Sequence, residues 1–177
     1  MLIAEFIFIM ANNFYNKFKH MNPDKKFLRL ALKQAKISFE KGGFPAGAIL
    51  VKDGKVISKG ISLGNMLNDP TEHSETSCIK KACKKMKTTN LEGCILYASL
   101  QPCLMCFSVS NWANISRIVY GCKKNDEMVN KGCYEGTTDL EVINKQNNHQ
   151  IGMIYLGDFE NEILKMLDEW EDKINQK

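Results

Sequence analysis

The sequence, 177 residues long, holds no apolar run long enough to cross a membrane. Its one apolar stretch near the start, Leu2 to Ala11, is short, is interrupted by Glu5 and has no basic segment before it. A span needs roughly 20 apolar residues, and a signal peptide begins with positive charge. Internal repeats, low-complexity tracts and linkers are also lacking, so nothing in the composition divides the chain. No charge sign dominates: 24 Lys and Arg against 20 Asp and Glu leave a net charge of +4, which is compatible with nucleic acid without arguing for it. Histidine is scarce, with only His20, His73 and His149, and there is no His-x-x-His and only one Cys-x-x-Cys. Seven cysteines are an odd number, and only Cys103 and Cys106 have ligand spacing. That pattern excludes a secreted disulfide scaffold and points to a reduced, cytoplasmic protein.

What is present is ordinary for a globular chain: 44% hydrophobic and 25% charged residues, enough for one domain with a sizeable core. Met21 directly precedes the first helix signal. Residues 1–20 are therefore expected to be an extension or a misassigned start, and residues 21–177 one domain. Asn22-Pro23-Asp24 combines a capping residue, a first-turn proline and early negative charge, and the spacing predicts a helix to about Glu40. Lys41-Gly42-Gly43 ends it. Phe44 to Val51 reads as a buried strand, turned by Asp53-Gly54 into Val56-Ile57-Ser58. Gly60 to Pro70 reads as a loop, and the next helix carries His73 and Glu75 to about Lys85. A strand follows over Cys94 to Ala98, a helix from Cys103 to about Ala113, and a strand over Arg117 to Tyr120. Lys123 to Asn148 is polar and unassigned; Ile151 to Leu156 is a last strand and Phe159 to Ile174 a closing amphipathic helix. Strands alternating with helices predict an α/β layered domain, and the hairpin makes its sheet mixed.

The chemistry lies in two separated segments, Asp69-Pro-Thr-Glu-His-Ser-Glu75 and Gln101-Pro-Cys-Leu-Met-Cys106. One imidazole and two thiols, His73, Cys103 and Cys106, make three zinc ligands, whereas a structural zinc site takes four. Three leave a position open for water, and Glu75 is the natural proton carrier for that water. Cys103 and Cys106 are three apart and face the same way on a helix. At its first turn the free N–H groups and the macrodipole favour the thiolate form. His73 and Glu75, two apart, diverge by about 200° if both are helical, which suits one to the metal and the other to the open position. Zn²⁺ with two thiolates is formally neutral and acidifies water weakly, so a neighbouring base is needed. Backbone N–H groups at the start of the Cys103 helix are candidates to steady developing oxygen charge. His20 and His149 read as solvated surface residues, and the lysines between Lys80 and Lys87 as a solvated helix face.

Taken together, His-x-Glu followed by Pro-Cys-x-x-Cys resembles the cytidine deaminase-like superfamily of zinc deaminases, over about Lys25 to Trp170. Gly43 to Gly54 looks like that family's first hairpin and Asn68 to Glu75 like its metal-binding helix. The resemblance implies a three-layer α/β/α sandwich around a five-stranded mixed sheet, a zinc cofactor and a homodimer. Asn-Asp-Pro-Thr, Leu96 to Ser99 and Trp112-Ala113 are similar to bacterial guanine deaminases, in which a carboxylate after a later glycine shuttles a proton; Glu135 falls there. Trp170, Glu171 and Asp172 on the closing helix look like the lid of free cytosine deaminases. Bacterial tRNA adenosine deaminases share Asp-Pro-Thr and Pro-Cys-x-x-Cys, but their Lys-Thr-Gly-type segment is Lys123-Lys124-Asn125-Asp126 here. These branches place an asparagine eleven residues before the metal histidine, where this sequence has Ser62; Asn65 and Asn68 are near enough to compensate.

The sequence therefore favours deamination of a free guanine-like purine. Cytosine or isocytosine, adenosine in tRNA, and a catalytically silent base-binding protein are the alternatives. Phe44, Trp112 and Trp170 are candidates to stack on a flat ring. Ser62, Asn65, Gln101 and Asp172 are candidates to bind its edges.

Overall fold

The computed structural model describes residues 22–176, so the extension expected over 1–20 lies outside the described residues. Helix α1 (Pro23–Glu40) starts as its capping residues dictate: Asn22 Oδ1 accepts the Asp24 N–H at 3.0 Å. It buries Leu28, Ala31, Leu32 and Ala35, the stripe that a 3.6-residue period places on one face. Strands β1 (Gly47–Lys52) and β2 (Lys55–Ile61) form the expected hairpin. Asp53 and Gly54 sit at φ 49° and 71°, the left-handed pair that a two-residue turn between twisted strands requires. A short helix α2 (Gly64–Leu67) leads to α3 (Ser74–Met86), β3 (Ile95–Ala98), α4 (Leu104–Trp112) and β4 (Arg117–Tyr120). Two small helices, α5 (Asp126–Asn130) and α6 (Leu140–Gln146), precede β5 (Gly152–Tyr155), a 3₁₀ turn over Gly157–Phe159, and α7 (Glu160–Asn175).

The five strands lie in the order β2-β1-β3-β4-β5. Strand β1 is antiparallel to both neighbours, while β3, β4 and β5 run parallel, so the sheet is mixed. Strand alternation then splits the core into two layers. Ile49, Val51, Tyr97 and Val119 pack with α1 and with Phe159, Ile163 and Leu167 at the closing helix. Ala48, Leu50, Leu96 and Ile118 point the other way, against Cys78, Ile79 and Ala82 of α3, Phe107 of α4 and Leu140 of α6. This is the three-layer α/β/α sandwich around a five-stranded mixed sheet. Close approach at Gly60 sets one of its distances: a Cβ there would lie 1.8 Å from the Ser74 carbonyl oxygen. Glycine thus lets the first turn of α3 rest directly on β2.

Asp24 ties the start of α1 to strands β3 and β4, on the face that α1 covers. Its carboxylate accepts from the Tyr97 hydroxyl at 2.6 Å and from both terminal nitrogens of Arg117 at 2.8 Å. An exposed ion pair is worth about 0–1 kcal/mol, but this one is partly shielded and satisfies a phenol as well. Asp24→Ala is expected to destabilise the fold by about 2 kcal/mol, the cost of stranding a charged hydrogen-bond partner, as read by urea unfolding.

The structure departs from the sequence reading at several places. Phe44 to Ala46 precede β1 instead of belonging to it, and β2 continues to Ile61. The unassigned segment from Lys123 to Asn148 holds α5 and α6, capped by Asn125 Oδ1 and Asp139 Oδ1. Each is anchored by one fully covered residue, Met128 or Leu140. His149 is half-buried, not freely solvated, with its ring Nε2 2.9 Å from the Ile115 carbonyl oxygen. His20 lies outside the described residues.

Candidate active site

The site is assembled from two helix starts. His73 and Cys103 are the N-caps of α3 and α4, each with extended backbone, at φ −78°, ψ 162° and φ −73°, ψ 169°. His73 is therefore outside the helix that was expected to carry it. Its divergence from Glu75 comes from the cap, not from helical rotation. The loop before it is internally fastened. Asp69 Oδ1 accepts from the Thr71 N–H and hydroxyl at 2.8 and 2.6 Å, and these bonds hold the Asp69 carboxyl below the usual carboxylate range. The Leu63 N–H reaches the Glu72 carbonyl at 3.1 Å.

Cys106, in the first turn of α4, is fully buried beside Cys103. His73 Nδ1 lies 3.5 Å from Cys103 Sγ and 3.6 Å from Cys106 Sγ, and all three donor atoms lie within 4.8 Å of one another. Tetrahedral zinc with ordinary Zn–S and Zn–N bonds sets donor-to-donor edges of about 3.6 Å, so these residues fit the ion, with Nδ1 as the imidazole donor. The thiols are already differentiated. The Cys106 thiol, donating to Cys103, and the neighbouring His73 pull Cys103 down to about 5 against the opposing effect of burial. The same bond and burial push Cys106 up.

Glu75 is buried at the second position of α3. Its Oε2 accepts from the Ser74 hydroxyl at 2.7 Å. Desolvation, and after it the charge of Cys103, raises the carboxyl above its ordinary value. That is the shift that suits a group meant to take a proton and return it near neutral pH.

A cavity of about 560 Å³ opens at this point. His73, Glu75 and Cys103 form its floor, and Phe44, Ser62, Asn65, Gln101, Glu135 and Trp170 all line it, as the sequence suggested. The Asn65 amide is committed to the Gly42 carbonyl at 3.0 Å. Phe44 and Trp170 meet edge to face, their ring centres 5.1 Å apart. The indole Nε1 of Trp170 is buried with no hydrogen-bond partner among the described residues. Two expected residues lie elsewhere: Trp112 is 87% exposed at the end of α4, and Asp172 is exposed on α7; neither lines the cavity. Sequence reasoning missed Met105, Lys131, Tyr134 and Ile174, which also line it. Met105, between the two cysteines, was the one with a positional signal.

The segment 131–138 carries Tyr134 and Glu135 across the cavity mouth. Glu135 Oε1 accepts from the Leu104 N–H at 2.7 Å. That donor, one of those expected to steady developing oxygen charge, is already engaged. The Tyr134 hydroxyl donates to the Gln101 carbonyl at 2.8 Å.

The family model described as cytidine and deoxycytidylate deaminase zinc-binding region matches residues 21–122. Over 94 residues the chain is 46% identical to the tRNA-specific adenosine deaminase of Aquifex aeolicus, covering 53% of this chain and 62% of that protein. Over 84 residues it is 42% identical to the guanine deaminase of Bacillus subtilis, covering 48% and 54%. The chain thus spans less than two thirds of the length of these two curated relatives. A solved structure from studies of A-to-I editing by tRNA:A34 deaminases superimposes with a TM-score of 0.69 at 29% identity, covering 81% of this chain and 99% of that one. Among the described residues no helix is long and apolar enough to cross a membrane.

Proposed function

Because the chain belongs to the cytidine and deoxycytidylate deaminase zinc-binding family, we propose that it is a zinc-dependent hydrolytic deaminase acting on adenosine in transfer RNA. The observation that carries the substrate reading is the 46% identity over 94 residues with a tRNA-specific adenosine deaminase. The full coverage of the structure associated with tRNA:A34 deaminases supports it. The guanine-like free base that the sequence favoured has less support and becomes the second reading. One observation favours a free base over RNA: Trp170 and Ile174 of α7 wall the cavity, as a closing helix over a single ring would.

His73, Cys103 and Cys106 hold the zinc, which when bound supplies the Lewis acidity that makes water a nucleophile at neutral pH. Glu75 is the base and then the acid. Its buried carboxylate takes the proton from the attacking water and hands it to the ring nitrogen beside the amino-bearing carbon. Oxygen adds to that carbon. Glu75 then takes the remaining proton from the added hydroxyl and passes it to the amino group, the C–N bond breaks, and ammonia leaves as the ring carbonyl forms. Phe44 and Trp170 flank the ring, while Ser62, Gln101 and Glu135 offer polar contacts to its edges. With a hydroxyl at Ser62 and the Asn65 amide engaged, that wall presents one donor where an amide would present two.

We also propose that the chain forms the homodimer that the resemblance implies. Trp112, exposed on α4, supplies apolar surface for it to cover, and sedimentation of the zinc-loaded chain checks it. The function itself is tested by ammonia release from an adenosine-containing anticodon stem-loop, guanine, adenine, cytosine and isocytosine, with Glu75→Gln as blank. Turnover of the stem-loop is expected. Turnover of guanine alone would hand the site to the second reading, and silence from the zinc-loaded chain on every substrate would leave a base-binding protein.

A further inference from the structure

Lys124 is not in the cavity wall, yet its side chain holds the segment that is. It sits just beyond β4, where the chain is tied to the cysteine loop: the Gln101 N–H donates to the Cys122 carbonyl at 2.8 Å, and the Lys124 N–H donates to Gln101 Oε1 at 3.0 Å. From that fixed point Lys124 Nζ donates to the carbonyls of Gly136 and Thr138 at 3.1 and 2.6 Å. It also stands 5.7 Å from the centre of the Tyr134 ring. Among the described residues it makes no ion pair, so its charge is spent on backbone dipoles and an aromatic face.

The held segment is one that would not keep its shape unaided. Gly132 and Gly136, at φ 74° and 152°, bracket Cys133-Tyr134-Glu135, and glycine at such angles is as free in the unfolded loop as it is accommodating in the folded one. Between these two pivots Glu135 has to reach the N–H of Leu104, the residue next to the ligand Cys103. Tyr134 fastens the near side to Gln101, and Lys124 fastens the far side.

We propose that Lys124 is a positioning residue: by clamping Gly136 and Thr138 it keeps the Glu135 carboxylate at the cavity mouth, beside the start of the Cys103 helix. This rests on the deaminase reading for its effect on turnover, though not for the clamp itself. Lysine suits the task because an ammonium offers three donors on a flexible stem, and methionine keeps the stem while removing the donors.

The experiment compares zinc-loaded full-length wild type, Lys124→Met, Glu135→Gln and the double variant. Amide hydrogen exchange over 132–138 is expected to speed up in Lys124→Met while α1 and α3 stay protected and zinc content is unchanged. On the anticodon stem-loop, kcat/KM is expected to fall by roughly 10²-fold, the scale of a misplaced group. Adding Lys124→Met to Glu135→Gln should cost nothing more, because the lysine acts through that carboxylate. Unchanged exchange over 132–138 would overturn the clamp, and a double variant that loses the product of both single effects would overturn the route through Glu135. If wild type itself turns over none of the substrates, the deaminase reading fails, and the exchange result still decides the clamp.

Discussion

Replacing Glu75 by glutamine is expected to leave stoichiometric zinc in place and to reduce turnover by about 10²–10⁴-fold, the range over which a positioned proton carrier acts. The amide occupies the same volume in the same buried place, and it can still accept from the Ser74 hydroxyl. Position 75 is not one of the three ligands, whose spacing is set by the starts of α3 and α4. What glutamine lacks is a site that takes up a proton at neutral pH. A loss this large with metal content and unfolding midpoint unchanged is the outcome of a proton-transfer role. Loss of zinc alongside activity would instead make Glu75 part of the scaffold around the metal, and retained turnover would remove it from the mechanism.

Cys106→Ala is expected to have the largest effect on the metal. Cys106 is one of three donors, fully buried, and among the described residues no other His, Cys, Asp or Glu joins the cluster. Loss of a mere hydrogen-bond partner of a ligand weakens metal binding by roughly 10–100-fold, and loss of the ligand itself should exceed that. Zinc should then be absent after dialysis against a mild chelator, with turnover abolished. Cys83→Ala is the control, since Cys83 is half-buried on α3 and outside the cluster. Its zinc content and activity should match the wild type. Zinc retained by Cys106→Ala would contradict the ligand set.

Much of this site was legible in the residues. The cap and stripe of α1, the Asp-Gly turn, and the pairing of His73-x-Glu75 with Cys103 and Cys106 each depend on local chemistry that residue type and spacing express. The illegible parts depend on contacts that leave no such trace. The backbone at His73 is extended because it caps α3, so its direction relative to Glu75 follows from cap geometry that helical counting does not describe. Helices α5 and α6 are five and seven residues long, too short for a periodic apolar face, and their Asn and Asp caps look the same as loop residues in a polar stretch. Lys124 grips carbonyl oxygens, and a carbonyl is present at every position. Trp112 is the converse case. It was a candidate to stack on a flat ring, but its place at the end of α4 turns it to the outside.

In the proposed function water adds to an adenine ring held over His73, Cys103, Cys106 and Glu75, and ammonia leaves. The most direct measurement is mass spectrometry of an adenosine-containing anticodon stem-loop after incubation with the zinc-loaded protein in water labelled with heavy oxygen. Conversion of that one adenosine to inosine, with the label on the base and one ammonia per event, is the predicted result. An unchanged stem-loop from protein that turns over guanine in the same buffer would contradict it.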